Sequence, residues 1–195
     1  MTALLKDDYY ITPEQYLVAE RLSEVKHEYV AGKVYAMAGA SAAHERIANN
    51  IIRRLGNGLS GKRCEVFSSN LRVRIRQPGR AEFYYYPDVL VDCSRLPNNA
   101  IYAEAPTVIF EVLSADTERV DQGEKLANYR TLPSLRLYVV VSQTEAAVTV
   151  YRLAEAEWQM EFYGSLEAVV ELPEIECRLS LAEIYERVIG EPAAE

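Results

Sequence analysis

The stretch YYYPDVLVDC (residues 84–93) combines a short apolar run with an acidic residue where that run begins. Val89, Leu90 and Val91 are typical of a buried β-strand, because branched aliphatic side chains suit a sheet that is covered on both faces. Asp88 stands between Pro87 and this run. Its position needs an explanation, because burying an isolated charge costs on the order of several kcal/mol.

A second apolar run, TVIFEVLS (residues 107–114), carries Glu111 between Phe110 and Val112. Two carboxylates on neighbouring strands repel each other, and a divalent cation that binds both makes the arrangement favourable. Lys125, on the helix expected after this strand, could reach the same place. Two acids and a lysine that converge in this way are suited to metal-assisted hydrolysis of a phosphodiester.

The rest of the chain predicts helices and strands in alternation, and therefore an α/β (α+β) fold with one mixed sheet. TPEQYLVAERLS (12–23) predicts a helix capped by Thr12, and HEYVAGKVYAMAG (27–39) predicts a hairpin that turns at Ala31-Gly32. Further helices are expected at 41–61, 114–134 and 179–190. The other expected strands are LRVRIR (71–76), LRLYVVVS (135–142) and AAVTVYRL (146–153), with WQMEFYG (158–164) and AVVEL (168–172) as an extra ribbon.

These motifs are similar to those of the PD-(D/E)XK nuclease superfamily, and above all to its branch of Uma-type restriction endonucleases, long catalogued as a domain of unknown function. In that branch a strand with Pro-Asp is followed by a strand with Glu-Val-Leu-Ser and a helix with Asp, Lys and Tyr. The matching residues are Pro87-Asp88, 111–114, Asp121, Lys125 and Tyr129. The resemblance covers residues 12–188 and implies a restriction-endonuclease-like core, a central mixed sheet flanked by helices, with an N-terminal helix and hairpin.

The upstream segment HEYVAGKVYAMAGASAAHERI also matches this branch, through Glu28, Gly32, Met37, Ser41 and His44. In nucleases of this fold the first core helix often contributes an acid to the metal site, and His44 or Glu45 stands in that region. The resemblance therefore implies that Glu28 and His44 belong to the site. A structural hydrogen bond for Glu28 and a buried core position for His44 are the alternatives.

The sequence departs from the superfamily pattern two residues after Glu111, where Leu113 stands in place of lysine. The resemblance implies that the lysine has moved to the next helix, which makes Lys125 the candidate. The alternative is a surface lysine paired with Asp121 at a spacing of four residues. Asp88 likewise has a structural alternative as a turn residue after proline.

The charge of the chain is unevenly distributed. The net charge is −8, which disfavours nucleic acid as a partner for the chain taken as a whole. Residues 46–80, however, hold nine basic residues and a single acid, Glu65. The alternation in LRVRIR predicts Arg72, Arg74 and Arg76 on one strand face, where they could contact the phosphates of DNA. Solvated strand and helix faces are the alternative explanation.

The three cysteines, Cys64, Cys93 and Cys177, are far apart in the sequence and odd in number. This pattern disfavours both a disulfide framework and a zinc site, and it fits a reducing compartment. No apolar run has the length of a signal peptide or a membrane span. We therefore expect a cytoplasmic protein with one domain over residues 1–195 and a short flexible tail at its C-terminus.

Three functions are compatible with these observations. The first is an endonuclease that hydrolyses DNA, with Mg²⁺ or Mn²⁺ bound by Asp88 and Glu111 and with Lys125 assisting. The second is a nucleic-acid-binding or regulatory module that keeps the nuclease fold without activity. The third is a structural oligomer with no role on nucleic acid. A homodimer is expected in all three, and two-fold symmetry suits an enzyme that cuts both strands of a duplex.

Overall fold

The structure is a computed structural model that describes residues 10–76, 79, 81–113 and 121–189. Its helices are α1 (Pro13–Glu20), α2 (Ala42–Leu59), α3 (Leu126–Tyr129) and α4 (Leu181–Ile184). A π-helical segment, Asp121–Lys125, runs directly into α3, and a 3₁₀ turn covers Pro173–Ile175. The predicted helix over 114–134 begins in residues 114–120, which lie outside the described residues.

The described residues form thirteen strands, numbered in chain order. The first five are β1 (His27–Val30), β2 (Lys33–Ala36), β3 (Glu65–Ser68), β4 (Arg72–Ile75) and β5 (Phe83–Tyr85). The next four are β6 (Val89–Asp92), β7 (Tyr102–Ala103), β8 (Pro106–Leu113) and β9 (Leu137–Ser142). The last four are β10 (Val148–Ala154), β11 (Glu157–Tyr163), β12 (Val169–Leu172) and β13 (Cys177–Ser180). This mixture of helices and strands confirms the predicted α/β class.

The strands form two large sheets where the sequence predicted one. The first sheet has the order β2-β1-β5-β4-β7 and the second the order β11-β10-β9-β8-β6-β3. Both are mixed, because β4–β7 and β8–β9 are parallel and the remaining neighbours are antiparallel. The chain passes from one sheet to the other between Tyr85 and Val89, and that crossing carries Asp88.

The N-terminal elements form as the sequence predicts. Thr12 caps α1 in a capping box with Gln15, and Ser41 caps α2 by accepting from the His44 amide. The β1–β2 turn places Ala31 and Gly32 at φ 51° and 94°. A side chain on Gly32 would also collide with the ring of Tyr10. Both the positive φ and the lack of space therefore require glycine at position 32.

Each face of the six-stranded sheet packs against a different layer. Ile47, Ile51 and Leu55 of α2 cover one face, together with residues of β12, β13 and α4. The other face packs against the five-stranded sheet and α3, through residues such as Ile109, Tyr129 and Tyr138. The candidate site residues lie where α2, the two sheets and the π-helical segment meet. No helix in the described parts of the chain is long and apolar enough to cross a membrane.

The expectation of unpaired cysteines is wrong. Cys64 and Cys93 form a disulfide, and Cys177 is free. The two partners flank β3 and β6, which pair antiparallel with Glu65 opposite Asp92, so the sheet register brings them together. A separation of 29 residues hides this pairing from the sequence. The cysteines therefore no longer support the expected reducing compartment.

Two predictions about the C-terminal third also need correction. The helix expected over 179–190 is limited to α4, because Leu179 lies in β13 and Arg187 adopts a left-handed φ of 62° that a helix cannot contain. The expected ribbon of 158–164 with 168–172 does not form. Instead β11 pairs with β10, and β12 pairs with β13.

Candidate functional site

Asp88 lies beside Glu111 across two neighbouring strands. Val89, the first residue of β6, is paired with Phe110 of β8, so the residue before it is level with Glu111. The Val112 amide donates a hydrogen bond of 2.7 Å to Oδ2 of Asp88. The sheet register therefore places the backbones of the two acidic residues that the sequence predicted as a pair side by side.

His44 contacts the same carboxylate from the first turn of α2. Its Nε2 lies 3.2 Å from Oδ2 of Asp88, and both side chains are largely buried. Burial alone would lower the pKa of His44, but the hydrogen bond and charge of Asp88, helped by the charge of Glu45, raise it above its usual value. A proton on His44 is thus stabilised where it faces Asp88.

Glu28, Glu111 and Lys125 form a second, deeper cluster. Lys125 Nζ lies 3.0 Å from Oε1 of Glu28 and 3.4 Å from Oε1 of Glu111. The Lys125 side chain is 7% exposed, and the two carboxylates are more buried still. One amino group thus contacts two carboxyl groups in the protein interior.

The π-helical segment and α3 fix the direction of Lys125. Lys125 is the last residue of the π-helical segment, and Leu126 and Tyr129 just beyond it are buried against the sheets. Helical widening of this kind recurs at functional sites because it turns a side chain out of the regular repeat. The Nζ atom also lies 5.6 Å from the ring centre of Tyr85. Lys125 is therefore buried and is not the surface lysine that the sequence allowed as the alternative.

Tyr129 closes the cluster on the helix side. Its hydroxyl donates to Oε1 of Glu111 at 3.5 Å. Burial, and then the charge of Glu111, raise the pKa of Tyr129 well above its usual value, so the phenol keeps its proton. The site thus holds a fixed hydrogen-bond donor beside Glu111.

Two contacts in this region were not predicted from the sequence. The Tyr86 amide donates to Oε1 of Glu28 at 3.2 Å, so the residue before Pro87 anchors a carboxylate of β1, the strand paired with β5. Tyr85 donates its hydroxyl to Glu124 at 3.0 Å, which ties β5 to the π-helical segment. The triple tyrosine before Pro87 was visible in the sequence, but its partners lie 39 and 58 residues away.

The arginines of β4 do not form the exposed face that strict alternation predicted. Arg72 is 6% exposed and lies over the rings of Tyr16 and Tyr86. Arg74 is paired with Glu82 and Glu104. The alternation misleads because α1 and the tyrosines cover the face that the sequence assigned to solvent. Contact with nucleic acid stays a prediction for Arg72, Arg74 and Arg76, and of these three only Arg76, which follows β4, is exposed.

The oxygen donors of Asp88 and Glu111 fit a hard divalent cation. Mg²⁺ binds through one or two carboxylates and keeps several waters, so a pair of carboxylates is a sufficient protein contribution. Among the described residues, the polar contacts of the Asp88 carboxylate with the Val112 amide and His44 are made by Oδ2. The described residues contain no cluster of three or more His, Cys, Asp or Glu side chains in a metal-binding arrangement.

Comparison with known proteins identifies the family of the chain. Residues 13–182 match the family model described as "Uma2: Putative restriction endonuclease". The chain belongs to this family. The match includes Glu28, His44, Asp88, Glu111 and Lys125, so every residue of the two clusters lies within the family domain. The resemblance that the motifs indicated is thereby confirmed.

Relatives and a solved structure extend the comparison. The uncharacterized proteins slr1290 and sll1609 of Synechocystis are each 32% identical to this chain, over 177 and 152 residues. These alignments cover 90% and 76% of this chain, and 91% and 84% of the relatives. A crystal structure described as a putative nuclease belonging to DUF820, from Anabaena variabilis, superimposes with a TM-score of 0.74 over 92% of this chain and 99% of its own. At 21% identity that likeness shows the fold alone.

Proposed function

We propose that this protein is an endonuclease that hydrolyses phosphodiester bonds of DNA with Mg²⁺ or Mn²⁺. The observation that supports this most strongly is the placing of Asp88 beside Glu111 in the sheet register, with Lys125 3.4 Å from Glu111. The family to which the chain belongs supports the same class of reaction. Under this proposal catalysis explains why these charged side chains are buried, which packing does not explain.

The side chains divide the work between them. Asp88 and Glu111 would hold the cation, which, when bound, lowers the pKa of a water and stabilises charge on the phosphate. Lys125 supplies a fixed positive charge at Glu111 for the attacking water or the developing phosphorane oxygen. His44 and the Val112 amide hold Asp88 in place, so its second oxygen keeps one orientation. Glu28 positions Lys125 through its 3.0 Å contact.

Two copies of the chain act together in this proposal. A duplex has two strands of opposite direction, and a two-fold symmetric dimer presents one site to each of them. A dimer also suits a chain of net charge −8, because contacts spread over two subunits offset the weak attraction of each for phosphate.

Plasmid cleavage under a titration of Mg²⁺ and Mn²⁺ tests the proposal. Wild type should nick and linearise the plasmid only with metal, and Asp88→Asn should lose at least about 100-fold in rate, since it removes a metal ligand while keeping the shape of the side chain. Glu65→Gln is the matched control, because Glu65 is an exposed carboxylate of the same sheet. Wild type that never cuts but binds DNA with a steep salt dependence would show an inactive binding module instead.

A further inference from the structure

Strand β11 forms an open edge of the six-stranded sheet. It has seven residues and, among the described strands, pairs with β10 alone. Among the residues that the structure describes, none hydrogen-bonds the main-chain N–H and C=O groups on its other side. Proteins usually protect such edges with charges, proline or short strands, because an open edge can pair with another chain.

The two faces of β11 differ in character. On one face Glu161 is bonded by Arg152 and by the Tyr163 hydroxyl, so its charge is neutralised within the chain. On the other face Met160 and Phe162 are 68% and 67% exposed, and Trp158 is partly buried beside them. An open edge with a row of exposed apolar side chains is the opposite of a protected edge.

We infer that β11 pairs antiparallel with β11 of a second copy of this chain, about a two-fold axis at Met160. In this register Met160 lies opposite its own copy, and Trp158 lies opposite Phe162. Gln159 then faces Glu161, and Glu157 faces Tyr163, so no glutamate is opposite another. All seven residues of the strand are paired, and both apolar side chains that are now exposed become covered.

The neighbouring registers are less favourable for a charge reason. Residues opposite each other in a strand pair point to the same face of the sheet. A two-fold axis perpendicular to the sheet must therefore lie between the two copies of one residue. An axis at Gln159 pairs five residues and sets Glu157 against Glu161. An axis at Glu161 also pairs five and sets that glutamate against its own copy. Like charges directly opposite each other destabilise a strand pair, so the charges of β11 favour the register with the axis at Met160.

The resulting dimer joins the two six-stranded sheets into one sheet of twelve strands, which is within the range of large open sheets. The inference rests on β11 alone and is independent of the nuclease proposal. A catalytically inactive chain would dimerise equally well. A monomeric chain would contradict the dimer of the proposed function but not its hydrolysis of phosphodiester bonds.

Sedimentation equilibrium of the full chain tests the inference. Wild type should be a dimer at micromolar concentration, and Met160→Lys should raise the dimer dissociation constant by about 100-fold or more, since it removes two buried side chains and opposes two charges. Leu22→Lys is the matched control, because Leu22 is 84% exposed and lies just after α1. It should leave the dissociation constant unchanged. A wild type that is monomeric at about 100 µM, or a dimer that Met160→Lys leaves intact, overturns the inference.

Cross-linking then tests the register. A residue opposite its own copy has a Cα–Cα distance of about 4.5–5.5 Å, which a disulfide can span. Met160→Cys in a Cys177→Ser background should therefore give a covalent dimer on oxidation. Leu22→Cys in the same background should not. Equal cross-linking of both variants, or of neither, contradicts pairing at Met160.

Discussion

Two of the clusters in which one cation lies between two glutamates, those of Lys125 and Arg152, are built differently. Lys125 lies between Glu28 and Glu111 at 3.0 and 3.4 Å, with all three side chains almost fully buried. Arg152 donates to Glu161 at 2.6 Å and also pairs with Glu174, nearer the surface. The shallower cluster therefore has the shorter bonds and the deeper cluster the longer ones.

This contrast indicates what each cluster is for. Arg152 also donates to the Glu171 carbonyl, so its planar group ties β10 to β11 and to the segment that carries β12. The pKa of Glu161 is lowered, first by its bond to Arg152, which marks an interaction that stabilises the charged carboxylate. Lys125 is a point charge in a costly environment. The role that we propose for Lys125 toward a bound cation or phosphate would account for such a choice.

The largest effect should come from removing the two cations in turn and measuring DNA cleavage. Lys125→Met should lower the cleavage rate by about 100- to 1,000-fold, because it removes a charge placed for the transition state. Arg152→Met should leave the rate per folded molecule unchanged, since β10 and β11 lie away from the site. Rates are compared at equal folded fraction, measured by circular dichroism. Equal losses in both variants would show that the clusters do not differ in the way proposed.

A smaller effect should appear in the free energy of unfolding, and it should come from Arg152. Arg152→Met should cost about 2–4 kcal/mol, because two partly buried glutamates and a carbonyl lose their partner. Arg136→Met, at an exposed arginine, is the control and should stay within about 0.5 kcal/mol of wild type. Urea denaturation at neutral pH measures both. A loss at Arg152 no larger than the control would contradict its structural role.

The pH dependence of this loss has a defined sign. The folded pKa of Glu161 is lowered, so its contribution is present above the unfolded value near 4.3 and is lost as the pH falls through the folded pKa. The difference in stability between wild type and Arg152→Met should therefore shrink below about pH 4. A difference that is constant from pH 7 to pH 3 would show that packing rather than charge carries it.

The residues that could be predicted from sequence are those whose chemistry conflicts with their surroundings. Asp88 and Glu111 stand in apolar runs, and that conflict is visible without a structure. Lys125 was predicted from its position on the next helix and from the motif resemblance, and His44 from the resemblance. The structure places Lys125 beside Glu111 and His44 beside Asp88. The assignment of catalytic and metal-binding roles to these residues stays a prediction.

The features that could not be predicted depend on contacts between distant segments. Alternation in LRVRIR is a correct signal for a strand, yet it cannot show that Tyr16 and Tyr86 cover Arg72. The Cys64–Cys93 disulfide follows from the pairing of β3 with β6, which no local pattern reveals. The division into two sheets likewise depends on the path of the chain around Pro87. Local patterns predict elements, whereas pairing of elements is decided by the whole core.

The smallest expected effect concerns His44. It tests the contact of His44 with Asp88 through stability, so no assay of catalysis is needed. The folded pKa of His44 is raised, so its contribution to stability is fully present below the unfolded value of about 6.5 and is lost as the pH rises through the folded pKa. In metal-free buffer, wild type should therefore lose more stability than His44→Gln between about pH 6.5 and pH 8.5. Asp88→Asn should flatten the dependence in the same way, because the bond and charge of Asp88 are what raise the pKa. If His44→Gln keeps the wild-type slope, the 3.2 Å contact is not an ion pair, and Asp88 is held by the Val112 amide alone.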